Sequence, residues 1–203
     1  NCDIVDAVDI CTSNDAHFKV AMAAVEAGKP FDLEKPITLT AEEADILAKA
    51  AQEKNIKNMV CFSYRFKAAA RYAKDLIAQG KIGRVYHVNM QYFQAWGLPR
   101  ANCPLVWRYV KSRTGTGALG DLGSHALDLV RFVTNKEYVR VVGHTGTYVH
   151  ERPLENGQGV GKVDVDDFSN YMADMEEGIS VSFQITRFAY GRGNYQRMEI
   201  YGS

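Results

Sequence analysis

The first third of the chain alternates between short apolar runs and segments in which apolar residues recur with a helical spacing. The runs at 7–12, 30–33 and 58–62 are short and rich in β-branched or other apolar side chains, which predicts strands. Between them, apolar residues recur every three or four positions over 17–27 and 44–51, which predicts helices. The order β-α-β-α-β is typical of half of a doubly wound parallel sheet.

A different pattern follows residue 66. Helices are predicted over 67–79 and 119–133, whereas apolar and polar residues alternate over 85–94. Only one face of that strand is strongly apolar, which is typical of an antiparallel sheet with its other face in water. Further strands are predicted over 138–149, 165–175, 179–188 and 195–201, with a hairpin turn at Glu176–Gly178.

We therefore expect an α/β chain in two parts. Residues 1–64 are predicted to form part of a parallel sheet with helices, and residues 65–203 an α+β domain with a mainly antiparallel sheet. Two segments show no regular period. The segment 96–118, rich in Gly, Pro, Arg and Trp, predicts a long functional loop, and the glycine-containing segment 151–161 predicts a mobile loop.

Composition and charge narrow the classes of function. The 203 residues include 24 Lys plus Arg and 24 Asp plus Glu, so the zero net charge argues against a nucleic-acid binder. The apolar runs fall far short of the ~20 residues that a membrane-spanning helix needs. Cys2, Cys11, Cys61 and Cys103 lack zinc-type spacing and are interpreted as buried, reduced thiols of a cytoplasmic protein. Because a strand pattern begins soon after Asn1, we expect an N-terminal piece to be missing.

Polar residues follow each of the three predicted parallel strands. These residues are Thr12–His17, Glu34–Lys35 and Ser63–Arg65. Ligands of doubly wound sheets bind beyond the carboxyl ends of the strands, so we expect the three loops to share one ligand-binding edge. Within them, Pro36 restricts Lys35 to extended geometry, which lets the ammonium project from a rigid corner. An exposed ion pair at the strand end is the alternative interpretation.

The segment 117–128 (GALGDLGSHALD) carries the second candidate site. On a helix, Asp121 and His125 are four residues apart and share a face, and a carboxylate beside an imidazole raises its basicity. This arrangement is typical of a general base. A buried helix with a hydrogen-bonded histidine is one alternative. A metal site is another, although no HxH or HExxH pair accompanies the two residues.

These motifs, in this order, resemble those of the glucose–fructose oxidoreductase/inositol dehydrogenase (Gfo/Idh/MocA) family. The correspondence runs through nearly the whole chain, with the E-K-P and D-x-G-x-H-x-x-D motifs at its centre. The matching segments are Thr12–His17, Ala27–Lys29, Glu34–Pro36, Ser63–Phe66, Ile77–Gly83, Trp107–Arg108 and Gly120–Asp128.

The resemblance implies a fold, a cofactor and a set of roles. It implies the C-terminal part of a doubly wound (Rossmann) sheet followed by an α+β domain with an open, mostly antiparallel sheet, and NAD or NADP as cofactor. Lys35 would be catalytic, His125 would accept the proton, and Asp121 would be its partner; these three residues and Arg65 would bind the substrate. The cofactor side would comprise Thr12, Asn14, His17, Glu34, Lys35, Trp107 and Arg108.

The chain also departs from the family pattern. The glycine-rich phosphate loop of the family belongs upstream of Asn1, Ser13 replaces the usual proline, and Ser63 stands where asparagine is frequent. The residue that distinguishes NAD from NADP is absent as well, and the family continues through further strands after Ser203.

The function that the resemblance implies is oxidation of a ring hydroxyl of a sugar or cyclitol by NAD(P), without a metal. The expected partners are a small sugar or polyol and further copies of the chain, which would form a homo-oligomer through the open sheet; no nucleic acid or membrane is expected. An NAD-dependent glycosidase or lyase acting through transient oxidation, a non-catalytic sugar-binding or scaffold relative, and a metal-dependent lyase remain as alternatives.

Overall fold

The computed structural model describes residues 4–203, and its first sheet has the predicted β-α-β-α-β order. Its three strands are parallel and adjacent in the order β1-β2-β3. Two helices connect them, and one apolar core lies between sheet and helices, with Ile10 and Leu33 almost completely buried. The elements are β1 (Val8–Ile10), α1 (Asn14–Glu26), β2 (Phe31–Leu33), α2 (Ala41–Glu53) and β3 (Asn58–Val60).

Two residues mark the start of α2 and the end of α1. Thr40 accepts a hydrogen bond from the backbone amide of Glu43 at the start of α2. Gly28 follows α1 with a positive φ of 68°, the conformation that ends a helix most readily at glycine.

A mixed five-stranded sheet forms the second part. Its strand order is β10-β4-β9-β8-β5, and all neighbours are antiparallel except the parallel pair β4–β9. A 3₁₀ turn at Ser63–Phe66 leads from β3 into this part. The main elements are α3 (Ala68–Ala78), β4 (Val85–Phe93), α4 (Lys111–Thr114), α5 (Ser124–Thr134), β5 (Tyr138–Gly146), β6 (Glu151–Pro153), β7 (Val160–Lys162), β8 (Phe168–Met175), β9 (Ser180–Thr186) and β10 (Tyr195–Gly202).

One face of this sheet is buried, as the alternating pattern predicts. Val88 and Met90 of β4 and Phe183 of β9 pack with Ala126 and Val130 of α5 in a single apolar core. On the opposite face, side chains such as Gln91 and Gln184 of neighbouring strands bond to each other in water. Helix α5 is thus fixed against the sheet, and it also contacts the 3₁₀ turn at Ser63–Phe66 that follows β3.

Two loop predictions are wrong in detail. The segment 96–118 contains α4 and short 3₁₀ turns at Pro99–Ala101 and Trp107–Tyr109, because Tyr109 packs with Val163 in a small core of its own. The segment 151–161 includes β6 and the start of β7, which pair as an antiparallel hairpin. The predicted helix 119–133 begins with a π-helical turn at Leu119–Gly123 before α5.

Among residues 4–203, no helix combines the length and the apolar character needed to cross a membrane. The three described cysteines all differ from prediction. Cys11 is exposed because it lies just beyond the end of β1, and Cys61 and Cys103 are only partly buried. Cys11, Cys61 and Cys103 are free thiols, and Cys2 lies outside the described residues.

Candidate active site

A cleft of about 280 Å³ lies at the carboxyl ends of β1 and β2, opposite the segment that carries Trp107 and Asp121. Most of the residues expected at the cofactor side contribute to its walls. The lining residues are Cys11, Thr12, Ser13, Asn14, Glu34, Lys35, Pro36, Trp107, Arg108, Thr114 and Asp121. Residues from distant parts of the chain therefore meet where a parallel sheet usually binds its ligand.

Lys35 and Asp121 form the centre of this cleft. The Lys35 ammonium donates hydrogen bonds to Oδ1 and to the backbone carbonyl of Asp121, both at 2.9 Å. Their side chains are 10% and 20% exposed, so the pair is largely shielded from water. The alternative interpretation, an exposed ion pair at the strand end, is therefore wrong, and the ammonium points into the cleft, where it pairs with the Asp121 carboxylate.

Asp121 has a second cationic partner, Arg187, which directly follows β9. The guanidinium Nη2 of Arg187 lies 3.3 Å from Oδ2, the carboxylate oxygen that Lys35 leaves free. Burial by itself would raise the pKa of the Asp121 carboxyl, but the charges of Lys35, Arg187 and Arg108 outweigh it and hold that pKa below its usual value. Asp121 is therefore an anion shared between two cations.

His125 does not pair with Asp121, which corrects the sequence-based prediction. Its ring lies edge-on to Phe62 and Tyr64, with centroid distances of 6.0 and 4.6 Å, and Nδ1 is buried without a hydrogen-bond partner among the described residues. Burial, and then the charge of Lys35, lower the pKa of His125 to about 4, against a smaller opposing effect of Asp121. The imidazole is therefore neutral at pH 7 and less basic than predicted.

Neither Arg65 nor His125 is among the residues that line the cleft, and the substrate-binding role expected of Arg65 stays a prediction. Its guanidinium forms a two-pronged ion pair with Asp128 and stacks on the rings of Phe62 and Phe132. Because both nitrogens that face Asp128 are engaged, Arg65 anchors the turn after β3 to α5. Asp128, the last residue of the D-x-G-x-H-x-x-D motif, therefore has a structural role as the partner of Arg65.

His17 and Asn14 also have structural contacts. His17 is fully buried; Nδ1 lies 2.8 Å from the carbonyl oxygen of Pro36 and Nε2 lies 3.1 Å from that of Thr12. Its ring therefore ties together the two loops that form the cleft walls, instead of facing a ligand. Asn14 lines the cleft, but its amide nitrogen donates to the backbone carbonyl of Thr114 at 3.0 Å.

A hydrogen-bonded network beside His125 was not foreseen from the sequence. The hydroxyl groups of Tyr64 and Tyr92 lie 2.6 Å apart, and Asn194 and Gln94 bond to them. Burial, and then the bond to Tyr64, raise the pKa of Tyr92, so the Tyr92 phenol stays protonated at neutral pH. The network places hydroxyl and amide groups beside the His125 ring, whose pKa also responds to the charges of Lys35 and Lys67.

The donor set does not match a metal centre. Across residues 4–203, no group of three or more His, Cys, Asp or Glu side chains converges on one point. The carboxylate of Asp121 is occupied by two cations instead.

Comparisons with known proteins agree with this architecture. The model of the oxidoreductase family with an NAD-binding Rossmann fold matches residues 2–62, and that of the GFO/IDH/MocA C-terminal domain matches residues 70–203. A levoglucosan dehydrogenase from Pseudarthrobacter phenanthrenivorans is 39% identical over 211 residues, which cover 98% of this chain and 54% of that protein.

Solved structures give the same result. An oxidoreductase domain protein from Kribbella flavida has a TM-score of 0.94 and 44% identity, covering 100% of this chain and 54% of its own. A levoglucosan dehydrogenase in complex with NADH and levoglucosan has a TM-score of 0.94 and 40% identity; the match covers 100% of this chain and 53% of that one. The chain spans about half the length of these relatives. Since family models match both of its parts, the chain belongs to the Gfo/Idh/MocA family of oxidoreductases.

Proposed function

We propose that the full-length protein is an NAD(P)-dependent dehydrogenase that oxidises a ring hydroxyl of a neutral sugar or polyol. The observation that carries the proposal is the Lys35 ammonium, held on Asp121 at 2.9 Å inside a cleft at the carboxyl ends of a parallel sheet. The 39% identity to a levoglucosan dehydrogenase supports a sugar ring as the substrate.

The cleft residues fit the nicotinamide end of the cofactor. The Arg108 guanidinium stacks on Trp107 with its carbon 4.4 Å from the ring centroid, which offers a flat, cationic surface to an aromatic amide. Thr12 and Glu34 add a hydroxyl and a carboxylate on the opposite wall, which suit a ribose or a carboxamide. When bound, NAD(P) supplies the hydride acceptor.

Residues of this chain accept the proton of the substrate hydroxyl and stabilise the negative charge that develops on its oxygen. In this proposal Lys35 donates a hydrogen bond to the substrate hydroxyl oxygen and stabilises the negative charge that develops there. The imidazole of His125 takes the hydroxyl proton, and its low pKa keeps it in the neutral form that can accept one at pH 7. Asp121 holds the ammonium in place.

The polar groups near His125 suit the hydroxyls of a ring substrate. Tyr64, Tyr92, Gln94 and Asn194 provide hydroxyl and amide groups that can both donate and accept hydrogen bonds. Such groups match the hydroxyls of an anhydrosugar or a cyclitol.

The test is turnover by the full-length protein with NAD or NADP and a panel of levoglucosan, inositol, glucose and glucose 6-phosphate. We expect reduction of the cofactor by a neutral ring substrate, and a loss of at least about 100-fold in kcat for Lys35→Met and His125→Asn. Lys74→Met is the matched control, because the Lys74 ammonium lies 4.1 Å from the centre of the Phe132 ring and outside the cleft.

Two results would contradict the proposal: no cofactor reduction with any member of the panel, or near-normal turnover in both the Lys35 and the His125 variant. Release of an aryl group from an aryl glycoside without accumulation of reduced cofactor would favour the glycosidase alternative instead.

A further inference from the structure

Arg187 is a buried charge that no sequence motif predicted. Its side chain is 0% exposed, and Nε and Nη1 have no hydrogen-bond partner among the described residues. The guanidinium carbon lies 4.6 Å from the centre of the Trp96 ring. Burying a guanidinium costs several kcal/mol unless an anion or a π-face compensates for the lost water. The Trp96 ring supplies the π-face, so an anion is expected close to the guanidinium.

The carboxylate of Asp121 is the anion that pairs with Arg187, and the buried carboxyl of Asp167 is a second acid close enough for the charge of Arg187 to oppose the rise in its pKa that burial causes. The distance of 3.3 Å between Nη2 and Oδ2 joins the buried arginine to the carboxylate whose other oxygen binds Lys35. The three residues come from the loop after β2, the π-helical turn and the end of β9. Asp121 is thus held from both sides, which restricts rotation of its carboxylate about χ2.

Arg152 is a second buried arginine, and its contacts allow a comparison with Arg187. It is 3% exposed and stacks on Tyr109 with 4.0 Å between its guanidinium carbon and the ring centroid. Its two terminal nitrogens donate to the backbone carbonyls of Gly97 and Cys103. Burial and aromatic stacking are therefore common to both arginines, and contact with Asp121 distinguishes Arg187.

We propose that Arg187 is a positioning residue, which fixes the Asp121 carboxylate as an oriented anion and thereby sets the place of the Lys35 ammonium in the cleft. The inference rests on the proposed dehydrogenase function of that cleft. Arg187 itself touches neither the substrate nor the cofactor in this proposal, and it acts through Asp121.

The charges around Asp121 determine in which direction the pH dependence of activity should shift when Arg187 is removed. Lys35, Arg187 and Arg108 lower the pKa of Asp121 against the effect of burial. His125 and Tyr92 are the other titratable groups whose pKa values respond to its charge. Removing Arg187 removes one of the three cations, so the pKa of Asp121 must rise. In the wild type the acid limb is set by His125, whose pKa is about 4; in the variant Asp121 sets it once its pKa rises above that value, so activity fails at a higher pH.

The experiment compares Arg187→Met, Arg187→Lys and Arg152→Met in the full-length enzyme with its sugar substrate. For Arg187→Met we expect kcat to fall about 10- to 100-fold, since a misplaced reacting group has that effect, and the acid limb of the kcat/KM profile to move to higher pH. Arg187→Lys should restore most of kcat and return the acid limb towards its wild-type position. Arg152→Met should lower Tm and leave the acid limb unchanged.

The outcomes separate the two proposals. If no wild-type turnover is found, the proposed function fails. If the wild type is active and Arg187→Met matches Arg152→Met in kcat and in acid limb, the positioning role is refuted while the dehydrogenase function stands. Arg187→Gln replaces the Met variant if that one does not fold. The Gln variant removes the positive charge and keeps a hydrogen-bond donor. If its acid limb lies at the wild-type pH, the positioning role of Arg187 is also refuted.

Discussion

The Lys35 ammonium donates to both the side chain and the backbone carbonyl of Asp121, at 2.9 Å in each case, although 86 residues separate the two in sequence. Lys35 follows a strand of the parallel sheet, and Asp121 lies in the turn before α5, which packs on the other sheet. The candidate site therefore forms only when the two sheets take up their mutual arrangement, and its integrity reports on that arrangement.

Asp121→Asn should destabilise the protein and abolish the proposed chemistry together. The substitution leaves the Lys35 and Arg187 cations facing a neutral amide, and removal of one partner from a buried ion pair costs about 3 kcal/mol. We expect a clear fall in Tm and in kcat. Chemical denaturation and steady-state kinetics of the full-length protein measure both effects.

The control is Asp174→Asn, which removes a carboxylate from a pair with Arg140 that is 80% exposed on the arginine side. Surface pairs contribute little to stability, so Tm should hardly change. Equal destabilisation by the two variants would show that Asp121 is not a buried counter-ion.

Gly117→Ala tests how tightly the turn that carries Asp121 is built. A Cβ at this position would lie 1.8 Å from the backbone oxygen of Asp166, whose side chain also accepts hydrogen bonds from the amides of Gly117 and Leu119. Because backbone atoms must move to relieve the contact, we expect a loss of about 3 kcal/mol of unfolding free energy. Gly193→Ala is the control, since no atom lies within 4 Å of its Cβ. Similar stabilities of the two variants would contradict this prediction.

The arrangement of strands and the residues at their ends could be predicted from the sequence. Apolar runs and helical spacing act locally, and the carboxyl ends of parallel strands meet at one edge whatever the details of packing. Thr12, Glu34 and Lys35 therefore reach the same cleft as expected. The contacts of single side chains with remote partners were not predictable in this way.

His125 is an example of a side chain whose contacts could not be predicted from the sequence. The four-residue spacing from Asp121 predicted a carboxylate–imidazole pair, but Lys35 and Arg187, 86 and 66 residues away from Asp121, occupy that carboxylate. For Arg187 a signal was present in the alternation of β9. Val181, Phe183 and Ile185 face the core, and Arg187 occupies the next inward position, where a charge needs a partner.

Cys11 provides a test of the cleft that does not depend on turnover. Its thiol lines the cleft and donates to Asp9, and this hydrogen bond raises the pKa of Cys11, so alkylation should be slow at neutral pH and faster in alkali. We expect NAD to slow the alkylation of Cys11 in the full-length protein, as measured by peptide mass spectrometry. Cys103 lies outside the cleft lining and is the internal control. Equal protection of both thiols, or of neither, would contradict the placement of the cofactor.

The aromatic surroundings of His125 predict a specific dependence of stability on pH. The pKa of this group is about 4 in the folded protein and about 6.5 when unfolded, so the unfolded state takes up the proton first as the pH falls. The imidazole therefore contributes full stability above pH 6.5, and about 3 kcal/mol is lost as the pH falls from 6.5 to 4. His125→Phe keeps a ring against Phe62 and Tyr64 but cannot titrate. The difference in unfolding free energy between wild type and variant, measured by denaturant titration at several pH values, should change by that amount. A difference that stays constant between pH 7 and 4 would show that folding does not lower the pKa of His125.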